Sequence, residues 1–247
     1  MLGTARAVVG GILRYAARHG AITTNPIRDI EPIAGGTKKK TRALTPEERR
    51  EWLSQLELDP KAVAKDLPDL TRFMLATGVR IGEALALCWE DVDLDNGRAS
   101  IRYTVVRVRG AGLQRKEPKT ESGVRDLPLP SWAVEVLKRR HSIATAENRP
   151  GASPVFPDTF GGLRDPSNTR RALREARGND GFAWVTSHVF RKTAGTVMDE
   201  AKLSARQIAD QLGHAKAVND AGRLYGSRYG VNRERRRSRR HVVRVQA

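Results

Sequence analysis

Between Thr186 and Tyr225 the chain places two histidines, an arginine and a tyrosine in an order that could move a phosphoryl group. His188 and Arg191 stand three apart, and Phe190, Ala194, Val197, Met198 and Ala201 recur around them at helical spacing. This predicts an amphipathic helix over about Ser187 to Ala201 with one buried stripe. Side chains at i and i+3 are neighbours on a helix surface, so an imidazole and a guanidinium there face one small object, and a phosphate fits that description. Ser204 with Gln207 makes a capping box, Ala205, Ile208, Ala209 and Leu212 make a face, and Gly213 makes a stop. A second helix should therefore follow, with His214 emerging past its end. Tyr225 lies eleven residues further on. A chance HxxR pair and a glycine-histidine helix end would look the same, so the reading depends on partners elsewhere.

Two partners lie upstream. In VRIGEALALCWEDVDLDNG, Arg80 opens a predicted helix just after Gly78, with Glu83 one turn on. A residue at a helix start can aim at an anion near that end. Lys119 precedes a turn in QRKEPKTESGVRDLPLP, where two short strands should flank ESG as a basic hairpin finger. Each of these residues, taken alone, would be an ordinary surface cation.

The elements that must position them read clearly. Residues 4–19 carry Val9, Ile12, Leu13 and Ala16 at helical spacing, with Gly20 as its stop. AITTNPIRDIEPI then reads as an extended connector with a turn or break at Asn25-Pro26, and GGTKKKTR (35–42) as a flexible basic linker. Thr45-Pro46-Glu47-Glu48 opens the next domain with an N-cap, a first-turn proline and a capping glutamate, and Trp52, Leu53 and Leu56 form the helix face behind it. A further helix over 67–77 ends at Gly78. ASIRYTVVRV (99–108) predicts one strand, and helices are expected near Ser131 to Arg140 and Ser167 to Arg177. The basic tail RERRRSRRHVVRVQA is either a disordered polyanion-binding arm or a segment that folds on a partner.

Composition sets the partner. The 247 residues carry a formal charge of +17, which points to a polyanion, most simply nucleic acid. An anionic membrane is the competitor, but no long apolar run or signal-peptide pattern appears, so a soluble, intracellular protein is expected. Cys88 is the single cysteine and reads as a core residue, which excludes an internal disulfide and a cysteine zinc site. The five histidines lack metal-ligand spacing, and no phosphate-cradling glycine motif appears. Chemistry without metal or cofactor is therefore expected.

Taken in order, ATGVRIGEALAL, PKTESGVRDLPLP, SHVFRKTAGT, and QLGHA with Tyr225 resemble the boxes of the tyrosine recombinases, the family that includes phage integrases. The resemblance covers about residues 41–232, and GSRYGVNRE after Tyr225 is similar to actinobacterial phage integrases. It implies an α+β fold, mainly helical, with a small antiparallel β-sheet carrying Lys119. It also implies site-specific DNA recombination or integration by metal-free cleavage and rejoining through a covalent 3′-phosphotyrosine. Arg80 and Arg191 would neutralise charge growing on the nonbridging oxygens. Tyr225 would be the nucleophile and Lys119 the general acid for the leaving 5′ hydroxyl. His188 would act as base or orienting partner for the tyrosine proton, His214 as a hydrogen-bond donor to the phosphate, and Glu83 as an accessory group orienting the lysine or histidine network. The implied partners are double-stranded attachment sites, three further protomers in a synaptic tetramer, and accessory DNA-bending or directionality proteins. The implied location is the nucleoid in the bacterial cytoplasm.

Two features depart from the family pattern. Its tyrosine often lies nine or ten residues past the closing histidine, so Tyr229 is a rival nucleophile to Tyr225. RAVVGGILRYAARHGAITTNPIRDIEP resembles only the last helix and exit of a core-binding domain, so residues 1–34 read as the remnant of an N-terminally truncated member. Residues 43–232 read as the catalytic domain and 233–247 as the tail. Such a chain should bind weakly and cleave poorly. Three rivals stay open: a non-catalytic helix-turn-helix DNA-binding protein built on LSARQIADQLGHAKAVNDAGRLYG, a type IB topoisomerase with the same chemistry, and an inactive relic.

Overall fold

The computed structural model describes residues 2–30, 41–118, 123–147 and 153–213. It divides into two units, Met1–Lys40 and Thr41–Ala247.

In the first unit, α1 (Leu2–Arg18) ends where the sequence stops it, with the Ala21 amide donating back to the Ala16 carbonyl at 3.0 Å. The following segment is not extended, as expected from sequence, but folds back. Asn25 caps a 3-10 turn at Pro26–Arg28, accepting from the Ile27 amide, and its Nδ2 donates to the Gly10 carbonyl at 3.2 Å. Arg6 donates to the Ile30 carbonyl at 2.6 Å. Local side-chain bonds of this kind give the backbone an alternative to an extended path.

The second unit begins with α2 (Pro46–Leu58), capped as the sequence predicts. Thr45 accepts from the Glu48 amide and Glu48 accepts from the Thr45 amide at 2.8 Å. A short α3 (Pro60–Val63) precedes α4 (Leu67–Thr77) and α5 (Ile81–Ala86). Among the described residues five strands follow: β1 (Val92–Asp93), β2 (Arg98–Ile101), β3 (Thr104–Val108), β4 (Gly112–Lys116) and β5 (Arg125–Pro128). Four helices close the described chain: α6 (Ser131–Ala146), α7 (Pro166–Arg177), α8 (Ser187–Glu200) and α9 (Ala205–Leu212). The fold is α+β and mainly helical.

The β region differs from expectation in three ways. The strand expected over 99–108 is two strands, the single sheet is two antiparallel sheets, and the hairpin finger joins β3 to β4. The strands that flank the ESG turn do not pair with each other: β5 pairs with β2, Ile101 opposite Arg125, while β4 pairs with β3, Thr104 opposite Lys116. The apolar alternation runs on through the break, since Ala99, Ile101 and Val105 are all buried. The hydrogen-bond partners change at Arg102-Tyr103, where the Tyr103 ring lies 4.2 Å from the Arg115 guanidinium. Arg115 is itself paired with Glu90 and Asp91, so this corner is fixed by side chains from three places. Periodicity reports which face is buried and carries no information about which strand is the neighbour.

The core of this unit is built on Trp52, Leu56, Leu70, Phe73, Met74, Leu85, Phe156 and Phe190, all fully buried. α4 packs between α2 and α8, and α5 packs on β3. Burial of each large apolar side chain contributes about 1.5–3 kcal/mol. These contacts bring the end of α4 and the start of α5 to the face of α8.

Candidate active site

Arg80 has extended backbone, φ −72° and ψ 150°, and forms the N-cap of α5. Its position is set by Glu83, a buried carboxylate one turn on. One Glu83 oxygen accepts the Arg80 amide at 2.9 Å and the other accepts Arg80 Nη1 at 2.8 Å. Burial pushes the Glu83 carboxyl up, but the Arg125 guanidinium beside it and the hydrogen bonds from Arg125 and Arg80 outweigh this and hold it below the usual carboxylate range. The Arg80 side chain is held by Glu83 at one guanidinium nitrogen and is still half exposed, 52%. Its remaining guanidinium N–H groups are open to an anion.

α8 spans the predicted residues but buries a wider arc. Val189, Phe190, Arg191, Lys192, Thr193, Ala194 and Gly195 are buried, whereas Val197 and Ala201, placed in the stripe from sequence, are exposed. The first half of the helix is enclosed and the second half rises to the surface. Leu44 donates its amide to Thr193 Oγ1 at 3.0 Å inside this enclosure.

Arg191 is the deepest of the described candidate cations, at 3% exposure. Its Nη1 donates to the Gly78 carbonyl at 2.8 Å and its Nη2 to the Leu212 carbonyl at 2.5 Å. Both acceptors are at helix C-terminal ends, of α4 and α9, where unpaired carbonyls and the helix dipole favour a cation. Gly78 makes this meeting possible. Its backbone is left-handed, φ 69°, and a Cβ there would lie 2.5 Å from Leu212 Cδ2 and 3.2 Å from the Ala194 Cβ.

His188 is exposed at the start of α8. Partial burial by its neighbours, then the cations Arg191, Lys192 and Arg80, hold its imidazole below the ordinary 6.5. Arg80 and Arg191, which come from boxes far apart in sequence, thus both act on one imidazole. A histidine kept neutral near pH 7 can accept or relay a proton.

Arg125 was not among the residues singled out from the sequence. Its side chain is largely shielded and makes three bonds: Nη2 to Glu83 Oε2 at 2.8 Å, Nε to the Gln211 carbonyl at 3.0 Å, and Nη1 to the Gly123 carbonyl at 3.0 Å. Its signal in sequence was its place two residues from Leu127, on the same inward face of β5.

Lys119, His214, Tyr225 and Tyr229 lie outside the described residues. The described chain resumes at Gly123, four residues after Lys119, and ends at Gly213, immediately before His214. α9 keeps the predicted capping box and its stop at Gly213. The structure therefore brings together Arg80, Glu83, His188 and Arg191, and adds Arg125.

Among the described residues, one group offers clustered metal-ligating atoms: Cys88, Glu90 and Asp91, whose ligand atoms lie within 4.8 Å of one another. Arg115 pairs with both carboxylates, and burial pushes the Cys88 thiol up to about 11, against the pull of Arg115. That group is already compensated by its own guanidinium and is not part of the site. A cleft of about 750 Å³ among Lys65, Arg107, Arg140, Arg164 and Arg171 includes none of the candidate residues either. No helix of the described residues is long and apolar enough to cross a membrane.

Comparison with known proteins bears on the family and the fold. A model of the phage integrase family matches residues 42–221. The tyrosine recombinase XerC-like protein of Caldanaerobacter subterraneus subsp. tengcongensis is 24% identical over 227 residues, covering 81% of this chain and 56% of that protein. The prophage integrase IntR of Escherichia coli K12 is 29% identical over 155 residues, covering 63% of this chain and 34% of that protein. The chain thus spans about half the length, or less, of these curated relatives. Among solved structures, the Tn1549 transposon integrase in complex with a circular intermediate DNA superposes with a TM-score of 0.73 at 22% identity, covering 90% of this chain and 73% of that one. A lambda integrase tetramer bound to a Holliday junction superposes with a TM-score of 0.54 at 17% identity, covering 87% and 58%.

Proposed function

Because the chain belongs to the phage integrase family, we propose that it acts as a site-specific recombinase, cutting and rejoining DNA through a covalent phosphotyrosine. Residues 43–232 supply the catalytic domain. The observation that carries the reading is the convergence of Arg80, His188 and Arg191: the Arg191 guanidinium is bonded to the Gly78 carbonyl, two residues before Arg80, and both arginines depress the same imidazole. Two guanidiniums set on fixed frames stabilise the charge that grows on the nonbridging oxygens of a phosphodiester in the transition state, with no reorganisation at the moment of reaction.

Tyr225 attacks phosphorus. The new bond joins its phenolic oxygen to the 3′ phosphate and the bond to the 5′ oxygen breaks. Lys119 gives a proton to the departing 5′ oxygen, and neutral His188 accepts or orients the tyrosine proton. His214 donates a hydrogen bond to the phosphate. The phosphotyrosine keeps the bond energy, so a 5′ hydroxyl from another strand reverses the step and exchanges partners. The partners are duplex attachment sites, further protomers of this chain in a synaptic tetramer, and accessory DNA-bending or directionality proteins. The nucleoid of a bacterial cell is the place of action, and the segment after Tyr225 supports an actinobacterial type.

The test is an SDS-resistant adduct assay on nicked duplexes tiled from the DNA flanking the gene, with the linked residue identified by peptide mass. An adduct on Tyr225 that Tyr225→Phe abolishes, with DNA affinity kept, is the expected result. An adduct on Tyr229 would move the nucleophile and leave the reaction class standing. DNA binding with no adduct on any duplex would replace the enzyme with a DNA-binding module.

A further inference from the structure

Arg125 has no step in the reaction above, yet its three bonds reach three separate parts of the frame. On one side it holds Glu83, whose two oxygens also fix the backbone and guanidinium of Arg80. On the other it holds the Gln211 carbonyl, next to the Leu212 carbonyl held by Arg191. Two arginines from different elements thus grip consecutive carbonyls at the end of α9, and His214 follows two residues later in sequence. The third bond, to the Gly123 carbonyl, closes the backbone just before β5.

We propose that Arg125 is a positioning residue that sets the spacing between Arg80 and the end of α9, and so couples the phosphate cradle to the helix end that precedes His214 in sequence. Its chemical readout rests on the recombinase reading; its coupling readout does not. The site suits this task. The Arg125 side chain is only 7% exposed and that of Glu83 9%, so neither partner is replaced by water without moving the backbone. The register of Arg125 opposite Ile101, with Leu127 buried beside it, fixes the root of the side chain. A planar guanidinium donates from Nε, Nη1 and Nη2 in three fixed directions, and here all three are used; an ammonium on a flexible stem cannot reproduce that span.

Two measurements test it. The first is amide exchange at Gln211, Leu212 and Gly213 in Glu83→Gln, Arg125→Met and the double variant. Glu83 reaches α9 through Arg125, so E83Q should raise exchange there about tenfold. The double variant should show no further increase over R125M, which is the signature of a shared coupling. Unchanged exchange in E83Q, or additive effects in the double variant, would overturn the coupling whether or not the chain cleaves DNA. The second is single-turnover adduct formation on a phosphodiester and on a methylphosphonate at the same scissile position. The methylphosphonate lacks one charged nonbridging oxygen, so it depends less on the cradle. R125M should lose about 100-fold on the phosphodiester and much less on the methylphosphonate, with Arg125→Lys only partly restored. Equal losses on both substrates would mean that Arg125 only stabilises the fold. A wild-type chain silent on both substrates would count against the recombinase reading, and the exchange data would still decide Arg125.

Discussion

His188 and Glu83 show how two titratable groups in one site are pushed the same way for opposite reasons. Both lie below their ordinary values, the histidine through burial and three neighbouring cations, the glutamate because two arginines outweigh its burial. For His188 this predicts an NMR titration midpoint below the ordinary 6.5, moving up in Arg80→Ala, because removing a cation makes protonation easier. A midpoint unaffected by Arg80 would separate the two residues. For Glu83 the sign follows from linkage. A carboxyl with a lower value folded than unfolded adds stability above the unfolded value, near 4.5, and loses it as pH falls through the folded one. Glu83→Gln leaves Arg125 buried without its counter-charge and should cost about 3 kcal/mol at neutral pH. In urea titrations the gap between wild type and variant should narrow as pH drops below about 4.5.

At the scale of elements, the site is a junction of helix ends. α4 and α9 finish where Arg191 enters, and α5 starts one turn away from Glu83. Gly78 is the piece with least tolerance, since its conformation and its contact with Leu212 both exclude a side chain. Gly78→Ala should destabilise the unit by about 3 kcal/mol, from the left-handed backbone and the overpacking together. It should also loosen α9, visible as faster amide exchange over 205–213 than over α2. A cost below about 1 kcal/mol, the size of a surface substitution, would mean that α9 does not rest on this turn.

At the scale of the molecule, charge leads to the partner. The formal +17 is spread over a chain whose described carboxylates are largely engaged, as in Arg140 with Asp66 and Asp69, Arg107 with Asp165 and Arg115 with Glu90 and Asp91. Binding to duplex DNA should therefore weaken steeply with salt. For about six neutralised phosphates the loss is about a thousandfold between roughly 50 and 200 mM. On the role proposed for Arg80, Arg80→Ala should reduce the slope by about one unit, the loss of one phosphate contact. Affinity indifferent to salt would remove the polyanion from the reading.

The sequence by itself determined most of the helices and several of their ends, though not the short α3 or the extension of α6 to Ala146. Thr45 and Ser204 with their glutamate and glutamine, and the glycines at 78 and 213, encode caps within three or four residues of where they act. Helix ends are local events, so a local reading finds them. Arg80, His188 and Arg191 could be singled out because their order and residue types suit phosphoryl transfer. Only the tertiary structure decided which strand lies beside which, so ASIRYTVVRV divided between two sheets although its alternation ran unbroken. It also decided that Arg125 reaches Glu83, 42 residues away, and Gln211, 86 residues away. A buried arginine in a strand looks in sequence like an exposed one; its three acceptors exist only after α5, β5 and α9 have met, because their positions depend on long-range packing and not on local propensity.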